Sequence, residues 1–325
     1  MVPTCIIQRQ LGRRPSKGVL ASLNSISCLR LPPPRHKDTI LASLAKHTGV
    51  SPASIVWRAS AEMMKEEGAA APPPAAAAAA VEADAEAAAE AEAAPAAEEA
   101  AAAPAAPPAA AEVVVMEAGL RFVSDPLGQK TGFYSDQRES RAVLGALAAG
   151  RSVLDLCCFS GGFALVAAAG GAASALGVDS SAAAVAAAAR NAELNGLAGA
   201  ATFQKADVAA FMRDAAAAGR QWDILVLDPP KLAPTRKALP GALRKYRRLN
   251  AAAMRLVAPG GLLMTCSCSG AVAQGGAFMP MLADAARDAG RRLTVLRTAG
   301  AAACHPQDPA YPEGNYLSNV LLRVT

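Results

Sequence analysis

From Val113 onward, short runs dense in Val, Leu and Ile give way to longer Ala-rich stretches, and the two textures repeat. The runs "SVLDLCCF", "ASALGVD", "ATFQKAD", "WDILVLDPP", "GGLLMTCSCS", "RLTVLRT" and "SNVLLRVT" predict seven strands. Helical segments separate the first five, an alternation that predicts a parallel sheet in an α/β fold. Only a short irregular link joins the last two, so the final strand is expected to run antiparallel beside the sixth. Upstream, "VVVMEAGLRFVSD" predicts a hairpin that turns at Ala118 and Gly119.

The first third of the chain has a different texture. Residues 1–37 carry seven Lys or Arg, no acid and interleaved Ser, a composition that suits an organelle transit peptide. A disordered basic tail is the alternative. A chloroplast is expected ahead of a mitochondrion, with the cytoplasm as the other possibility. Residues 38–67 read as a small α/β segment, with an amphipathic helix and a short strand at "SIVWR". Residues 68–112 carry eight acids and no base among Ala and Pro, and nothing bulky to bury, so a linker without chemistry is expected there. The remainder, 113–325, is basic and favours a polyanionic partner. No run of bulky apolar residues is long enough to span a bilayer, which argues against membrane association. The seven cysteines are odd in number and irregular in spacing, so reduced thiols are the default.

The expected strand ends concentrate polar residues. The first leads through Asp155 into a turn containing Ser160, Gly161 and Gly162, a ligand-binding element of doubly wound sheets. The spacing is not G-x-G-x-x-G, which weakens a pyrophosphate reading and suits a ligand with a carboxylate and an ammonium, such as S-adenosylmethionine. Asp179 ends the second strand, where a carboxylate can accept from ribose hydroxyls. Asp207 ends the third, where one can accept from an adenine amine. Each could instead be a helix N-cap, but three in succession beside one Gly turn form a specific pattern.

These motifs, "DLCCFSGGF", "VDSS", "ARNAELNGL", "KADV" and "LDPPK", resemble those of class I S-adenosylmethionine-dependent methyltransferases. More narrowly, "QKTGFYSDQRESR", "LDPPKLA", "KYRRLNAAAMRLVAPGGLLMTCSCSG" and "HPQDPAYPEGNYL" resemble bacterial large-subunit ribosomal RNA cytosine-5 methyltransferases. The resemblance covers roughly 113–325 and implies a Rossmann-like, mostly parallel seven-stranded methyltransferase sheet, with 38–67 as an N-terminal α/β remnant. That family's RNA-binding PUA domain is expected to be missing. By resemblance, Asp155, Ser160, Gly161, Gly162, Asp179 and Asp207 would bind the cofactor, with Phe133, Gln137 and Arg138 covering it. RNA would be the partner.

Carbon-5 of cytosine is a poor nucleophile until a thiolate adds to carbon-6. "TCSCSG" at the end of the fifth strand could hold a metal pair, a redox pair, packing residues or such a nucleophile. C-x-C with the adjacent Cys157-Cys158 is not a recognised zinc pattern, and a redox pair, still open here, is more typically C-x-x-C. The family's motif places the nucleophile at Cys268, leaving Cys266 to packing. Asp228 can accept from the cytosine amine, with Pro229, Pro230 and Lys231 beside it. Arg236, Lys237, Arg244, Lys245, Arg247 and Arg248 could meet phosphates, and Tyr246 could stack or pack. A solvated helix face is the plain alternative. His305, Tyr311 and Glu313 lie in a Pro-rich loop expected near the same edge, with His305 read as a loop-fixing hydrogen-bond partner ahead of a proton acceptor. Other readings are an amine-directed RNA or small-molecule methyltransferase and a non-catalytic RNA-binding assembly factor.

Overall fold

The computed structural model describes residues 113–124 and 133–325, the backbone of two short strands, and positions 42 and 46. The two strands, β1 (Thr4–Ile7) and β2 (Ile55–Arg58), pair antiparallel with Cys5 opposite Trp57. They belong to a compact unit of their own. Apart from β1, the expected targeting tail over 1–37 lies outside the described residues, as does the expected linker over 68–112.

A second compact unit holds Val114–Val123 and Phe133–Thr325. Its sheet consists of β5 (Ser152–Leu156), β6 (Ser174–Asp179), β7 (Ala201–Lys205), β8 (Trp222–Leu227), β9 (Val257–Ser267), β10 (Leu293–Ala299) and β11 (Ser318–Val324), in the order β10-β11-β9-β8-β5-β6-β7. β5 to β9 are mutually parallel. β11 enters between β9 and β10 and runs antiparallel to both. This is the expected fold class, with its last strand more central than the sequence pattern alone indicates.

The helices are α1 (Arg138–Leu147), α2 (Gly162–Ala169), α3 (Ala182–Leu194), α4 (Val208–Ala217), α5 (Leu239–Leu256), α6 (Gly270–Gln274) and α7 (Phe278–Ala289). Side chains alternate across a strand, so each strand serves two layers. Leu154, Leu156, Leu225, Leu227, Leu263 and Leu322 form one core with Met212 of α4, Met254 of α5 and Leu282 of α7. Val153, Ile224, Val226 and Met264 are buried on the opposite face. Both faces being covered explains why these strands read as continuous apolar runs. α2 is buried from Phe163 to Ala168, so no polar stripe marks it as a surface helix.

The hairpin β3 (Val113–Glu117) and β4 (Leu120–Ser124) turns at Ala118 and Gly119, whose φ angles of 51° and 82° suit a two-residue turn. Side chains from α3 hold its outer strand. Asn191 Oδ1 accepts from Val123 N, and Asn195 accepts from Arg121 N while donating to Arg121 O. Glu117 closes the other side with a bidentate ion pair to Arg141 at 2.6 and 2.7 Å, both side chains being largely buried. The Arg141 guanidinium lies over the Phe133 and Phe163 rings and donates to Tyr134 O. Hairpin, α1 and α2 are thereby tied into one layer.

α1 and α2 also meet backbone to backbone. A Cβ on Gly170 would sit 2.2 Å from Gly145 O, and one on Gly145 would sit 2.8 Å from Val166 Cγ1. Gly170→Ala is therefore expected to lower stability by about 1–3 kcal/mol, the usual cost of overpacking. Urea denaturation of the variant against the parent checks this, and an unchanged midpoint would refute the close contact.

Candidate active site

The carboxyl ends of β5, β6, β7, β8 and β9 share one edge of the sheet, and the polar residues gather there. After β5 the chain makes a tight loop in which Cys157, Phe159 and Gly161 all have positive φ, at 62°, 48° and 82°. For Cys157 and Phe159 this is an uncommon conformation that the surroundings must enforce. Cys158 N donates to Val178 O, Gly161 N donates to Cys158 O, and Asn191 Nδ2 donates to Ser160 O. Gly161 is required twice over, by its φ and because a Cβ would come within 2.8 Å of the Phe203 ring.

Asp155 lies beneath this loop, almost wholly buried. Its Oδ2 accepts from Ala164 N at 3.0 Å, while Oδ1 is buried without a hydrogen-bond partner. Burial pushes its pKa up to about 8, with the Asp228 and Asp179 charges adding to the effect. Asp179 accepts from Phe159 N with Oδ2 and from Ser181 N with Oδ1, both at 2.9 Å. Each oxygen keeps a second lone pair for a hydroxyl. Asp207 is exposed and caps α4 by accepting from Ala210 N; it is a cap and a strand-end carboxylate at once. An unpartnered buried oxygen, a loop stripped of a side chain at Gly161 and two outward carboxylates fit a ligand bearing an ammonium and vicinal hydroxyls.

Asp228 follows β8 and is half-buried, with Oδ2 accepting from Gln137 Nε2 at 3.4 Å. Pro229 is buried, whereas Pro230 and Lys231 are exposed. One strand over, Cys268 follows directly on β9, half-buried between the fully buried Ser267 and Ser269. Cys266 is fully buried, accepting from Asn319 Nδ2 at 3.2 Å. Burial raises the Cys157, Cys158 and Cys266 thiols well above the usual range, so all three stay protonated and non-nucleophilic.

Two expected residues are placed otherwise, and Tyr246 takes the packing one of its two readings. Phe133 does not cover the strand ends: its ring is enclosed against Phe122, 4.9 Å between centroids, and beneath Arg141. Arg138 is exposed and lines a cleft of about 340 Å³ with Val115, Glu117, Phe133, Glu139 and Cys304, a lining that includes none of the strand-end carboxylates. Tyr246 cannot stack on a base, because it is fully buried and points at β9. Gln137 does reach the site, but its amide is held between Asp228 and Asn319. Arg247 pairs with Asp288 and Asp284 of α7, whereas Arg236, Lys237, Arg244, Lys245 and Arg248 are exposed.

The Pro-rich loop between β10 and β11 runs along the start of α1, where Ala302 N donates to Asp136 O and Tyr316 OH to Asp136 Oδ2. It ends at Ser318, opposite Ser267, beside the cysteine turn. His305 Nδ1 lies 3.1 Å from Cys304 Sγ. Residues not anticipated as site parts are Asn191, Asn319 and the Tyr134–Phe159 pair, whose rings meet edge-on at 5.0 Å. Asn191 and Asn319 carried a signal, each being an amide where the pattern calls for an apolar or strongly helical residue.

Residues 99–315 match the S-adenosylmethionine-dependent methyltransferase family. The chain belongs to that family. The methyl donor of that family is S-adenosylmethionine. The chain is similar to ribosomal RNA large subunit methyltransferase I of Aeromonas hydrophila, with 42% identity over 216 residues covering 65% of this chain and 54% of that protein. The same enzyme of Photobacterium profundum is 43% identical over 207 residues, covering 63% and 52%. The chain thus spans about half the length of these curated relatives. In fold it is similar to a methyltransferase from Streptococcus mutans, with a TM-score of 0.58 at 21% identity over 65% of this chain and 55% of that one. A methyltransferase structure complexed with SAH gives 0.57 at 21%, covering 67% and 57%.

The raised pKa of Asp155 gives a pH signature. The folded state holds this proton more tightly than the unfolded chain, so the group's contribution to stability falls as pH rises from 3.8 towards about 8. Asp155→Asn keeps an acceptor for Ala164 N and removes the titration. It should raise the melting temperature of the ligand-free protein at mildly alkaline pH and leave it nearly unchanged in acid. Thermal melts across that range check this; a parallel pH dependence in both proteins would refute it.

Proposed function

We propose that this protein methylates carbon-5 of a cytosine in RNA, with ribosomal RNA as the substrate class, and that Cys268 is the nucleophile. The observation that carries the reading is the position of Cys268: half-buried where β9 opens, one strand from Asp228, while Cys158 and Cys266 are buried. The name of the bacterial relatives supports the substrate class.

Asp155, Asp179, Asp207 and the loop at Ser160 to Gly162 would hold S-adenosylmethionine, which supplies an electrophilic methyl group when bound. The Cys268 thiolate adds to carbon-6 of the target cytosine, and the displaced ring electrons make carbon-5 nucleophilic. After methylation a base takes the carbon-5 proton, and the electron pair of that bond restores the carbon-5 to carbon-6 double bond as the carbon–sulfur bond breaks and the thiolate leaves. Asp228 accepts from the cytosine amine and keeps the ring oriented during addition. The exposed Lys231, Arg236, Lys237, Arg244, Lys245 and Arg248 form a cationic approach for the phosphate backbone, and the target base must leave its stack to reach Cys268. The Ser- and Arg-rich first 37 residues support an organellar setting, chloroplast ahead of mitochondrion.

Cys268→Ala should abolish methyl transfer to RNA while cofactor binding, measured by calorimetry, is unchanged. RNA containing 5-fluorocytidine should trap the parent protein covalently and the variant not at all. Transfer by Cys268→Ala at parental rate would refute the covalent mechanism. Mapping of 5-methylcytosine in organellar RNA with and without the protein tests the substrate; an unchanged map would count against it.

A further inference from the structure

Tyr246 remains outside the chemistry just described, yet it is among the largest fully buried side chains. It sits mid-way along α5, its ring edge-on to Phe278 at 5.9 Å between centroids. Its hydroxyl is surrounded by polar groups from two chain segments. Ser267 Oγ donates to Tyr246 OH at 2.9 Å, and the phenol shares a second hydrogen bond with Ser269 Oγ at 3.2 Å. Those serines are the immediate neighbours of Cys268 on either side, and Ser269 N in turn donates to Ser267 Oγ. From the other segment, Ala233 N donates to Ser269 Oγ at 3.1 Å. Leu232 and Ala233 continue the loop that begins at Asp228. One turn along α5, Asn250 accepts from Thr265 Oγ1 at 2.7 Å and donates to Tyr246 O, which fixes the helix against β9.

We infer that Tyr246 is a positioning residue for Cys268, its phenol binding both serines that flank the cysteine, one of which also holds the Asp228 loop. This inference rests on the assignment of Cys268 as nucleophile and extends it. The strand pairing ends at Ser267, and the turn that carries Cys268 is held by these side chains together with the bonds that Ser269 O accepts from Val272 N and Ala273 N. A network with each hydroxyl shared leaves little freedom to any member. A thiolate that must approach carbon-6 along one direction, while Asp228 holds the amine side of the same ring, depends on that spacing. Displacement of a reacting group by about 1 Å costs on the order of 100-fold in rate.

The test is Tyr246→Phe, which keeps the ring and removes only the hydroxyl, with Ser269→Ala as a second route to the same network. Both should slow covalent trapping on 5-fluorocytidine RNA, and the single-turnover methylation rate, by roughly 10- to 100-fold, leaving the KM for RNA and the affinity for S-adenosylmethionine unchanged. The pH profile of Cys268 alkylation by iodoacetamide should also change. The double variant should lose little more than either single one, because both break one network. Parental trapping and turnover in Tyr246→Phe would overturn the inference. So would a loss of turnover matched by equal losses of cofactor affinity and melting temperature, which is the mark of a merely structural hydroxyl. Full activity of Cys268→Ala would instead overturn the nucleophile assignment and this inference with it, whereas an unaffected Tyr246→Phe beside an inactive Cys268→Ala overturns this inference alone.

Discussion

The central strands β5, β8 and β9 are buried on both faces, and this constraint organises everything else in the second unit. A strand covered on both sides has no solvated position for a polar side chain, so polar chemistry is confined to where it ends. Because β5 to β9 run in parallel, their carboxyl ends fall on one edge. Asp155, Asp179, Asp207, Asp228 and Cys268 converge there although 113 positions separate the first from the last. The polar exceptions inside the sheet, Thr265, Cys266, Ser267 and Asn319, all lie within reach of that edge and are matched with partners from α5, from each other or from Gln137.

The same constraint explains what could be read from the sequence. Buried strands announce themselves as apolar runs, and their ends as the first acid or glycine after each run. The seven strands, the hairpin at Ala118 and the strand-end carboxylates were therefore legible. The direction in which side chains point outside the strands was less so. Phe133 lies in a segment with no periodicity, and only the tertiary contact with Phe122 and Arg141 turns it inward. Tyr246 stands in a basic run, which left stacking on a base and packing both open. Yet Ala242, Tyr246, Asn250 and Ala253 recur at helical spacing and form the buried face of α5, with the charges on the other side. That signal was present, and the density of charge obscured it. Arg247 was indistinguishable from its basic neighbours because its partners, Asp284 and Asp288, lie on a helix 37 and 41 positions away.

Asn191 joins two parts of the second unit that carry different tasks. Through Oδ1 it holds β4, and through Nδ2 it holds Ser160 in the strained loop after β5. An asparagine inside a helix competes poorly on propensity. Here both ends of the amide have fixed backbone partners, so the residue acts as a strut between hairpin and loop. The bidentate Glu117–Arg141 pair braces the same hairpin from the opposite side. The positive φ angles at Cys157 and Phe159 are thus held within a layer that is tied down at several independent points.

The amides at Asn191 and Asn195 have one more effect. A two-stranded ribbon presents free N–H and C=O groups along its outer rim, and such a rim can template pairing with a stranger's strand. On β4 the groups at Arg121 and Val123 already bond to α3 side chains in the pattern a neighbouring strand would use. With those positions taken, β4 offers an incoming chain no continuous ladder. The helix that steadies the ribbon also guards the protein against aggregation along that rim.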